Sequence, residues 1–476
     1  MSSAETVDAV VVGAGPNGLA AAVQLARAGR SVLVIEAEDT PGGGCRSAEL
    51  TLPGFTHDVC SAIHPLALAS PFFKSLPLER LGARMIHPEI PLAQPLDGGR
   101  AALLLRSVAG TADAFGEDAA AYRKLMAPLV RSADRLIEDL LAPIGIPRHP
   151  LTMARFGLRG LASAGGSFGR RFEGDEAKAL LGGAAAHATL PLDRSPTAGV
   201  GLFLTLLAHA VGWPVIEGGS QRLVDALLAY LGELGAEVRS GEQVTSLRQL
   251  PPSKAVLFDL APRHVVDIAG DALPSRYVRR LNRFRHGPGI FKMDWALDGP
   301  VPWANPECAR AGTIHVGGTL PEMVESERAP WEGRVTDRPF VLIGQQSVCD
   351  PSRAPEGKHT LWGYCHVPSG STIDMTGRIE SHIERFAPGF KDLVLARRSM
   401  TTNQVEAHNA SYIGGDITGG VQDLRQTFAR PALRLNPYTT PNDRLYICSS
   451  STPPGGGVHG MSGYHAARAA LRRSLS

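Results

Sequence analysis

The stretch Val7-Asp8-Ala9-Val10-Val11-Val12-Gly13-Ala14-Gly15-Pro16-Asn17-Gly18-Leu19-Ala20 decides how the chain begins. Val7–Val12 is a buried-strand pattern, and residues 17–28 form an Ala/Leu-rich helical pattern closed by Gly29. Residues 31–36 (SVLVIE) are a second buried strand, so the segment is a βαβ unit with tight turns. Gly13 allows the turn, Gly15 lets backbone amides reach a pyrophosphate, and Gly18 lets the helix pack close to the strand. Pro16 and Asn17 lie inside this fingerprint, at the helix N-terminus that attracts the anion. Glu36 ends the second strand, 18 residues after Gly18. A carboxylate there accepts hydrogen bonds from ribose hydroxyls and repels a 2′-phosphate. The fingerprint indicates a dinucleotide without separating FAD from NAD.

Composition excludes several other classes. The 476 residues carry 48 Lys+Arg against 46 Asp+Glu, a net +2, so no strong field is aimed at nucleic acid. With 43% hydrophobic and 20% charged residues the chain is globular rather than disordered. Six cysteines stand at 45, 60, 308, 349, 365 and 448 with no CxxC pair, which is no disulfide scaffold and favours a reducing, cytoplasmic setting. No basic region precedes an apolar stretch at the start, so a secretory signal is not expected. The apolar run over 7–26 contains Asp8, Pro16, Asn17 and Gln24, which reads as strand–turn–helix rather than a membrane span. No HxxxH, HExxH or CxxC spacing occurs, so no metal is expected.

Residues 110–210 read as mostly helical. The apolar segment 198–212 (AGVGLFLTLLAHAVG) is too short to span a bilayer; it is a buried helix, the wall of a substrate tunnel or a membrane-dipping helix. Residues 220–234 form a clean amphipathic pattern with Ser220 as expected N-cap and Gly235 as stop. Strands are expected at Glu237–Arg239, 243–247, 255–260, 340–344 and 360–367, and a helix at 372–386. The C-terminus repeats the initial design: strand 444–450, a glycine-rich loop, then a helix over 461–472.

Two further loops bear on the cofactor. Pro41-Gly42-Gly43-Gly44-Cys45-Arg46-Ser47 follows Glu36 closely; its glycines let backbone pass near a large planar or phosphorylated ligand, and Arg46 can neutralise charge. Here the chain resembles FAD enzymes of the glutathione-reductase-like fold. The segment from Ser449 to Gly460 (SSSTPPGGGVHG) opens the last helix, and free amides at a helix N-terminus suit the electron-rich edge of a flavin. Together the segments VVGAGPNGLAAA, PGGGCRS, LPGFTHDVCSAIHP, EGGSQRLVDAL and STPPGGGVHGMSGYHAARAA resemble the bacterial phytoene desaturase family. They are similar above all to its phytoene-dehydrogenase-related branch, which includes pyridine nucleotide-disulphide oxidoreductase domain-containing proteins.

The resemblance implies an α/β fold: a Rossmann-like FAD-binding domain of glutathione-reductase type with a discontinuous mixed α+β substrate domain. The FAD domain is expected from 1–105, 213–285 and 430–476, and the substrate domain from 106–212 and 286–429. By resemblance, Gly13, Gly15 and Gly18 hold the pyrophosphate and Glu36 the adenosine ribose. Gly43, Gly44 and Arg46 lie along the pyrophosphate and flavin, Val244 offers its backbone to adenine, and Gly457, Val458, His459 and Met461 line the flavin ring. Related enzymes often place Gly-Asp where this chain has Ser449 and Ser450, so a Ser450 hydroxyl stands in for the acid that binds the ribityl chain.

The implied activity is dehydrogenation or desaturation of a small apolar or amphipathic substrate, with hydride passing to the flavin and then to an external acceptor such as oxygen or a quinone. His459 is a candidate for proton handling or flavin tuning, with helix capping as the alternative. Lys292, inside the apolar strand GIFKMDWAL, is either a cation facing the cavity, as in some related amine oxidases, or the partner of Asp294 or Asp298. Arg279, Arg280, Arg283 and Arg285 read as a solvated face, and peripheral contact with lipid head groups stays open. Three rivals remain: an isomerase using reduced FAD without net redox, a flavin-carrying interaction protein, and an NAD-only dehydrogenase, which the two extra glycine loops oppose.

Overall fold

The computed structural model describes residues 6–476; the first five residues of the expected 1–105 segment lie outside it. A five-stranded parallel sheet runs in the order Leu445–Ile447, Ser253–Phe258, Val7–Val12, Val32–Ile35, Glu237–Arg239. Its two-residue period sends alternate side chains into two cores. Ala9, Val11, Val34 and Leu257 pack beneath the helices Pro16–Arg27, Gln221–Glu233 and Met461–Leu471. Val10, Val12, Ile35 and Phe258 pack against the helices Pro262–Ala269 and Ser275–Leu281.

A seven-stranded mixed sheet forms the second layer, ordered Val394–Met400, Gly289–Leu297, His359–Val367, Val341–Gly344, Ala311–Val316, Ile90–Pro95, Ala101–Leu104. The Gly289–Leu297 strand is buried along its whole length. Phe291, Met293, Trp295 and Leu297 join Ile379, Ile383 and Phe386 of the Thr376–Phe386 helix in one core. The alternate residues Ile290, Lys292 and Asp294 lie in register with His366, Tyr364 and Trp362, so the opposite face of this sheet carries a row of polar groups.

Three expectations are corrected. Ile90–Pro95 and Ala101–Leu104, assigned by sequence to the 1–105 segment of the FAD domain, hydrogen bond into the second sheet, so the chain leaves the dinucleotide half before residue 90. Residues 243–247 form no strand, because the amides of Thr245 and Ser246 donate to the Gln249 side chain at 2.7 and 2.9 Å and the chain enters a short 3-10 turn. Ser220 precedes its helix without capping it: its Oγ donates to the Ser61 carbonyl at 2.7 Å and lies 2.8 Å from His64 Nε2, while the Gln221 amide donates to Ser47 Oγ at 3.1 Å. Among the described residues no helix is long and apolar enough to cross a membrane.

The Met461–Leu471 and Pro16–Arg27 helices touch most closely at Gly463, where any Cβ would collide with the Asn17 carbonyl oxygen. Asn17 faces the dinucleotide loop, so this contact sets the position of the first helix from behind. Gly463→Val is expected to destabilise the protein by roughly 3 kcal/mol through overpacking, read as a lower denaturant midpoint; an unchanged midpoint refutes the close approach.

Candidate cofactor and substrate site

The loop between Val12 and Pro16 is held at both ends by hydrogen bonds. Gly13 takes φ +99°, a conformation that favours glycine, and its amide donates to the Ile35 carbonyl at 2.8 Å. The Ala14 amide donates to Glu36 Oε2 at 2.6 Å, and Glu36 Oε1 accepts the Glu38 amide at 3.0 Å. Gly18 donates to Asp259 Oδ2 at 2.8 Å, and a Cβ on Gly18 would strike the Gly13 carbonyl. Gly18 thus tightens the turn, while Gly15 presents its bare backbone to the open side. Burial pushes the Asp259 carboxyl up to about 7; the Gly18 amide opposes this and the Glu36 charge adds to it.

The second glycine loop closes over the first. A Cβ on Gly43 would lie 3.2 Å from Gly15 Cα, and one on Gly44 would strike the Tyr412 hydroxyl. The Arg46 guanidinium bonds the His408 carbonyl, donates to the Gly43 carbonyl at 3.2 Å and pairs with Glu38 at 3.4 Å. It therefore organises this loop as well as bringing positive charge to it.

The C-terminal loop is tied down by Arg430, whose buried Nη2 donates to the carbonyls of Gly419 and Ser450 at 2.6 and 2.9 Å and whose Nε donates to that of Ser451 at 3.2 Å. Asp416 anchors the neighbouring turn, accepting the amides of Gly287, Gly420 and Thr418 at 2.8, 3.1 and 2.8 Å. Burial alone would raise the Asp416 carboxyl, but hydrogen bonds from His286, Thr418 and Gly287 outweigh it and hold it below its ordinary value. His459 Nδ1 accepts the Met461 amide at 3.0 Å, and Nε2 lies 3.1 Å from the Gly455 carbonyl. Both ring nitrogens are thereby engaged in closing the loop onto the last helix, and burial lowers the imidazole to about 4, leaving it neutral.

These three loops enclose one cavity of about 1300 Å³. Gly13, Gly15, Pro16, Asn17, Glu36 and Val244 line its first half. Gly43, Gly44, Arg46, Ser450, Gly457, Val458 and His459 line its middle. Gly18 and Met461 stand behind the wall: Gly18 packs on Gly13, and Met461 is buried in the core beneath the first sheet. Lys292 also stands outside the lining, 1% exposed, ion-paired with Asp294, its Nζ 6.0 Å from the ring of Trp362, which does line the cavity. The far half is walled by Leu66, Phe156, Phe203, Leu204, Trp362, Tyr364 and His187. His187 Nε2 is 3.2 Å from Nε2 of the fully buried His315, and burial lowers His187 to about 3. The 197–210 helix is thus both buried core and cavity wall.

The residues fit a flavin dinucleotide. The Gly15 and Gly43 backbones converge without side chains, leaving a cradle that a Cβ would fill. Asn17 Oδ1 is buried, lines the cavity and has no hydrogen-bond partner. The cavity is continuous from the Glu36–Val244 end to the Gly457–His459 loop. Sequence reading missed Asp259, Arg430, Asp416, Tyr412 and His187, which belong to none of the glycine motifs they hold or face.

This fold and site define an oxidoreductase scaffold of the two-domain flavin type. Residues 11–75 match the NAD(P)-binding Rossmann-like domain family. The chain is 26% identical to pyridine nucleotide-disulfide oxidoreductase domain-containing protein 2 of Rattus norvegicus, over 98% of this chain and 93% of the relative. It is 30% identical to the phytoene dehydrogenase of Streptomyces griseus, over 76% of this chain and 73% of that one. An oxidoreductase from Methanosarcina mazei shares the fold with a TM-score of 0.64 at 17% identity, covering 96% of this chain and 98% of its own. The chain belongs to the phytoene dehydrogenase-related family of FAD-dependent oxidoreductases.

Two outcomes are expected. A Cβ on Gly15 would lie 2.7 Å from Asp259 Oδ2, so Gly15→Val should abolish FAD retention, checked by flavin absorbance on protein whose circular dichroism is preserved. Because burial pushes the Asp259 carboxyl up to about 7 in the folded state from its ordinary 3.8 in the unfolded chain, the folded state binds the extra proton between about pH 4 and about pH 7. Its contribution is full below that window and is lost as pH rises through it. Asp259→Asn, which keeps an oxygen acceptor for Gly18, should flatten this part of the stability–pH profile; an unaltered slope in urea unfolding contradicts the assignment.

Proposed function

We propose that the protein is a dehydrogenase or desaturase that oxidises a neutral apolar or amphipathic organic substrate and passes the electrons to an external acceptor such as oxygen or a quinone. The observation that carries this reading is the far half of the cavity. Leu66, Phe156, Phe203 and Leu204 form its apolar wall, no Asp or Glu stands among the Trp362, Tyr364 and His187 groups opposite, and the one acid of the adjoining 139–161 lining, Asp139, spends its carboxylate on the amides of Arg148 and His149 at 2.9 Å. An ammonium or guanidinium substrate buried there would find no free counter-charge. Burial keeps His187 neutral there, so a carboxylate substrate at that wall would find no charged imidazole either.

FAD, when bound, supplies a two-electron acceptor that takes hydride. Gly13, Gly15 and the N-terminus of the first helix would hold its pyrophosphate, and Glu36 and Val244 would hold the adenosine end. The Ser450–Val458 loop, kept in place by Arg430 and His459, would line the ring's side of the cavity. The aromatic and aliphatic wall orients the substrate and excludes water. His187, its Nε2 engaged with His315 and its imidazole lowered by burial to about 3, serves as a neutral polar contact for a substrate end and not as a base. Arg430 and Arg46 spend their donors on backbone carbonyls and so shape the loops without presenting bare charge to the substrate.

Purified protein should be yellow and release FAD on denaturation. Anaerobic incubation with neutral alkenes, terpenoid alcohols and long-chain amines separates the readings. Net bleaching by neutral substrates is expected; conversion without bleaching indicates an isomerase, and bleaching by amines alone overturns the neutral-substrate reading. Phe203→Ser should raise KM by about tenfold with flavin content retained, from the lost apolar contact.

A further inference from the structure

We propose that the far half of the cavity reads a hydroxyl group: a bare Nδ1 on His187 accepts the O–H of an otherwise apolar alcohol, and His315 and Gln94 set the tautomer that leaves this nitrogen bare. The inference rests on the neutral-substrate reading above and narrows it to one class of substrate.

Three elements bring these side chains together. His187 follows the Asp175–Ala186 helix, one turn after Gly183, so the two share a helix face. The parallel strands Ile90–Pro95 and Ala311–Val316 pair Ala93 with Ile314, and the next residues along them are Gln94 and His315. A Cβ on Gly183 would strike both Gln94 Oε1 and His315 Nδ1, so the two atoms reach the same point beside the bare glycine. Both residues are fully buried, and neither of these two atoms has a hydrogen-bond partner among the described residues. The other end of the Gln94 amide is fixed as nitrogen, because it donates to the Gly318 carbonyl at 3.1 Å.

Protons follow from this placement one at a time. Gln94 Oε1 only accepts. A bare His315 Nδ1 beside it would bring two lone pairs together in the interior, whereas an Nδ1–H offers the donor that the amide oxygen lacks. Burial keeps the His315 imidazole neutral, so a proton on Nδ1 leaves its Nε2 bare. His315 Nε2 lies 3.2 Å from His187 Nε2, and the proton of that contact then comes from His187. His187 is neutral by burial as well, so its Nδ1 carries none. Trp213 packs its ring against both imidazoles but spends its N–H on the Leu204 carbonyl at 3.2 Å. His187 lines the cavity, and no hydrogen bond among the described residues engages its Nδ1. An acceptor without a donor, set in an apolar wall, is satisfied by an alcohol. A ketone or an ether brings only another acceptor.

Anaerobic titration calorimetry on the flavin-loaded full chain tests the proposal with decanol, decyl methyl ether and octyl methyl ketone, probes of similar apolar length. Wild type should bind the alcohol about tenfold more tightly than the ether or the ketone, the margin of one buried hydrogen bond. His187→Phe keeps a ring against the wall and removes the acceptor, and it should bind all three alike. Gln94→Met keeps the volume and releases the His315 tautomer, so the ketone should gain on the alcohol; a merely structural role for Gln94 would weaken all three probes together. Ring-nitrogen NMR of histidine-labelled wild type reads the tautomer with every side chain in place: the signal that His187→Phe removes should be protonated at Nε2 and bare at Nδ1. The proposal is overturned if wild type binds the three probes equally or prefers the ketone, results that leave the neutral-substrate reading standing. It is overturned as well if the His187 signal is protonated at Nδ1, or if Gln94→Met weakens the three probes in proportion. Binding of long-chain amines with none of the neutral probes overturns the substrate reading itself, and this inference with it.

Discussion

Two buried carboxylates on either side of the central strand hold the dinucleotide loop. Val7–Val12 lies between Val32–Ile35 and Ser253–Phe258, and each neighbour is followed at once by an acid, Glu36 or Asp259. Glu36 takes the Ala14 amide and Asp259 the Gly18 amide, so the turn is gripped at its start and at the first turn of its helix. Gly15, between them, lines the cavity. Parallel pairing makes this possible, because all three strands end on the same edge and present their following residues to one crevice. The cost is electrostatic. Asp259 sits within the field of Glu36 at a site with little water, and its carboxyl is driven toward neutral pH.

The same economy of anchoring recurs across the cavity. The C-terminal glycine loop has few side chains of its own with which to hold a shape. Arg430 supplies the missing donors to Gly419, Ser450 and Ser451, and Asp416 supplies acceptors to the turn beside it. Burial lowers the Arg430 guanidinium to about 10, which leaves it a full cation whose donors the surrounding carbonyls take up. His459 completes the loop by joining the Met461 amide to the Gly455 carbonyl. That geometry accounts for its position beside the cavity through loop closure, and a catalytic role would require one of those bonds to break.

How much of this was legible beforehand follows from the distance over which each signal acts. The βαβ unit, the Gly289–Leu297 strand and the last strand–loop–helix could be read because hydrophobic period and glycine spacing are local. The dinucleotide fingerprint carried Glu36 with it, since a strand of known length separates them. Asp259 could not be read, for its partner Gly18 lies 241 residues away and nothing in DLAP announces the contact. Arg430 and His187 are silent for the same reason: their roles exist only once loops from distant parts of the chain meet. Residues 243–247 misled because β-branched residues suggested a strand, while Gln249 captured the amides that a ladder would need. Ile90–Pro95 misled through sequence position; proximity to the dinucleotide unit says nothing about which sheet a strand joins.

The polar row on the second sheet raises a last physical question: why a wall facing an apolar pocket should carry Lys292 and Asp294, with His57 and Asp58 of the separate Thr56–Asp58 strand and Arg353 of the Pro351–Arg353 turn beside them. These groups pair with one another rather than with the cavity. Lys292 bonds Asp294, Arg353 reaches Asp58 and Asp350 at 3.1 and 2.8 Å, and His57 Nδ1 lies 3.6 Å from Asp294. Asp58 also accepts the Ser220 amide at 2.7 Å and the Ser47 hydroxyl at 2.7 Å, so the network reaches from the second sheet to the second glycine loop and the start of the 221–233 helix. Buried ion pairs of this kind add little net stability against apolar packing, but removing one partner leaves an uncompensated charge. Their effect is therefore on geometry: any shift of the substrate half relative to the dinucleotide half would separate Asp58 from Arg353. Trp362 and Tyr364 alternate along the same strand and line the cavity. The network thus holds the aromatic wall at a set distance from the loop that carries Gly43, Gly44 and Arg46, which is the dimension an oxidation between a substrate and a planar ring depends on.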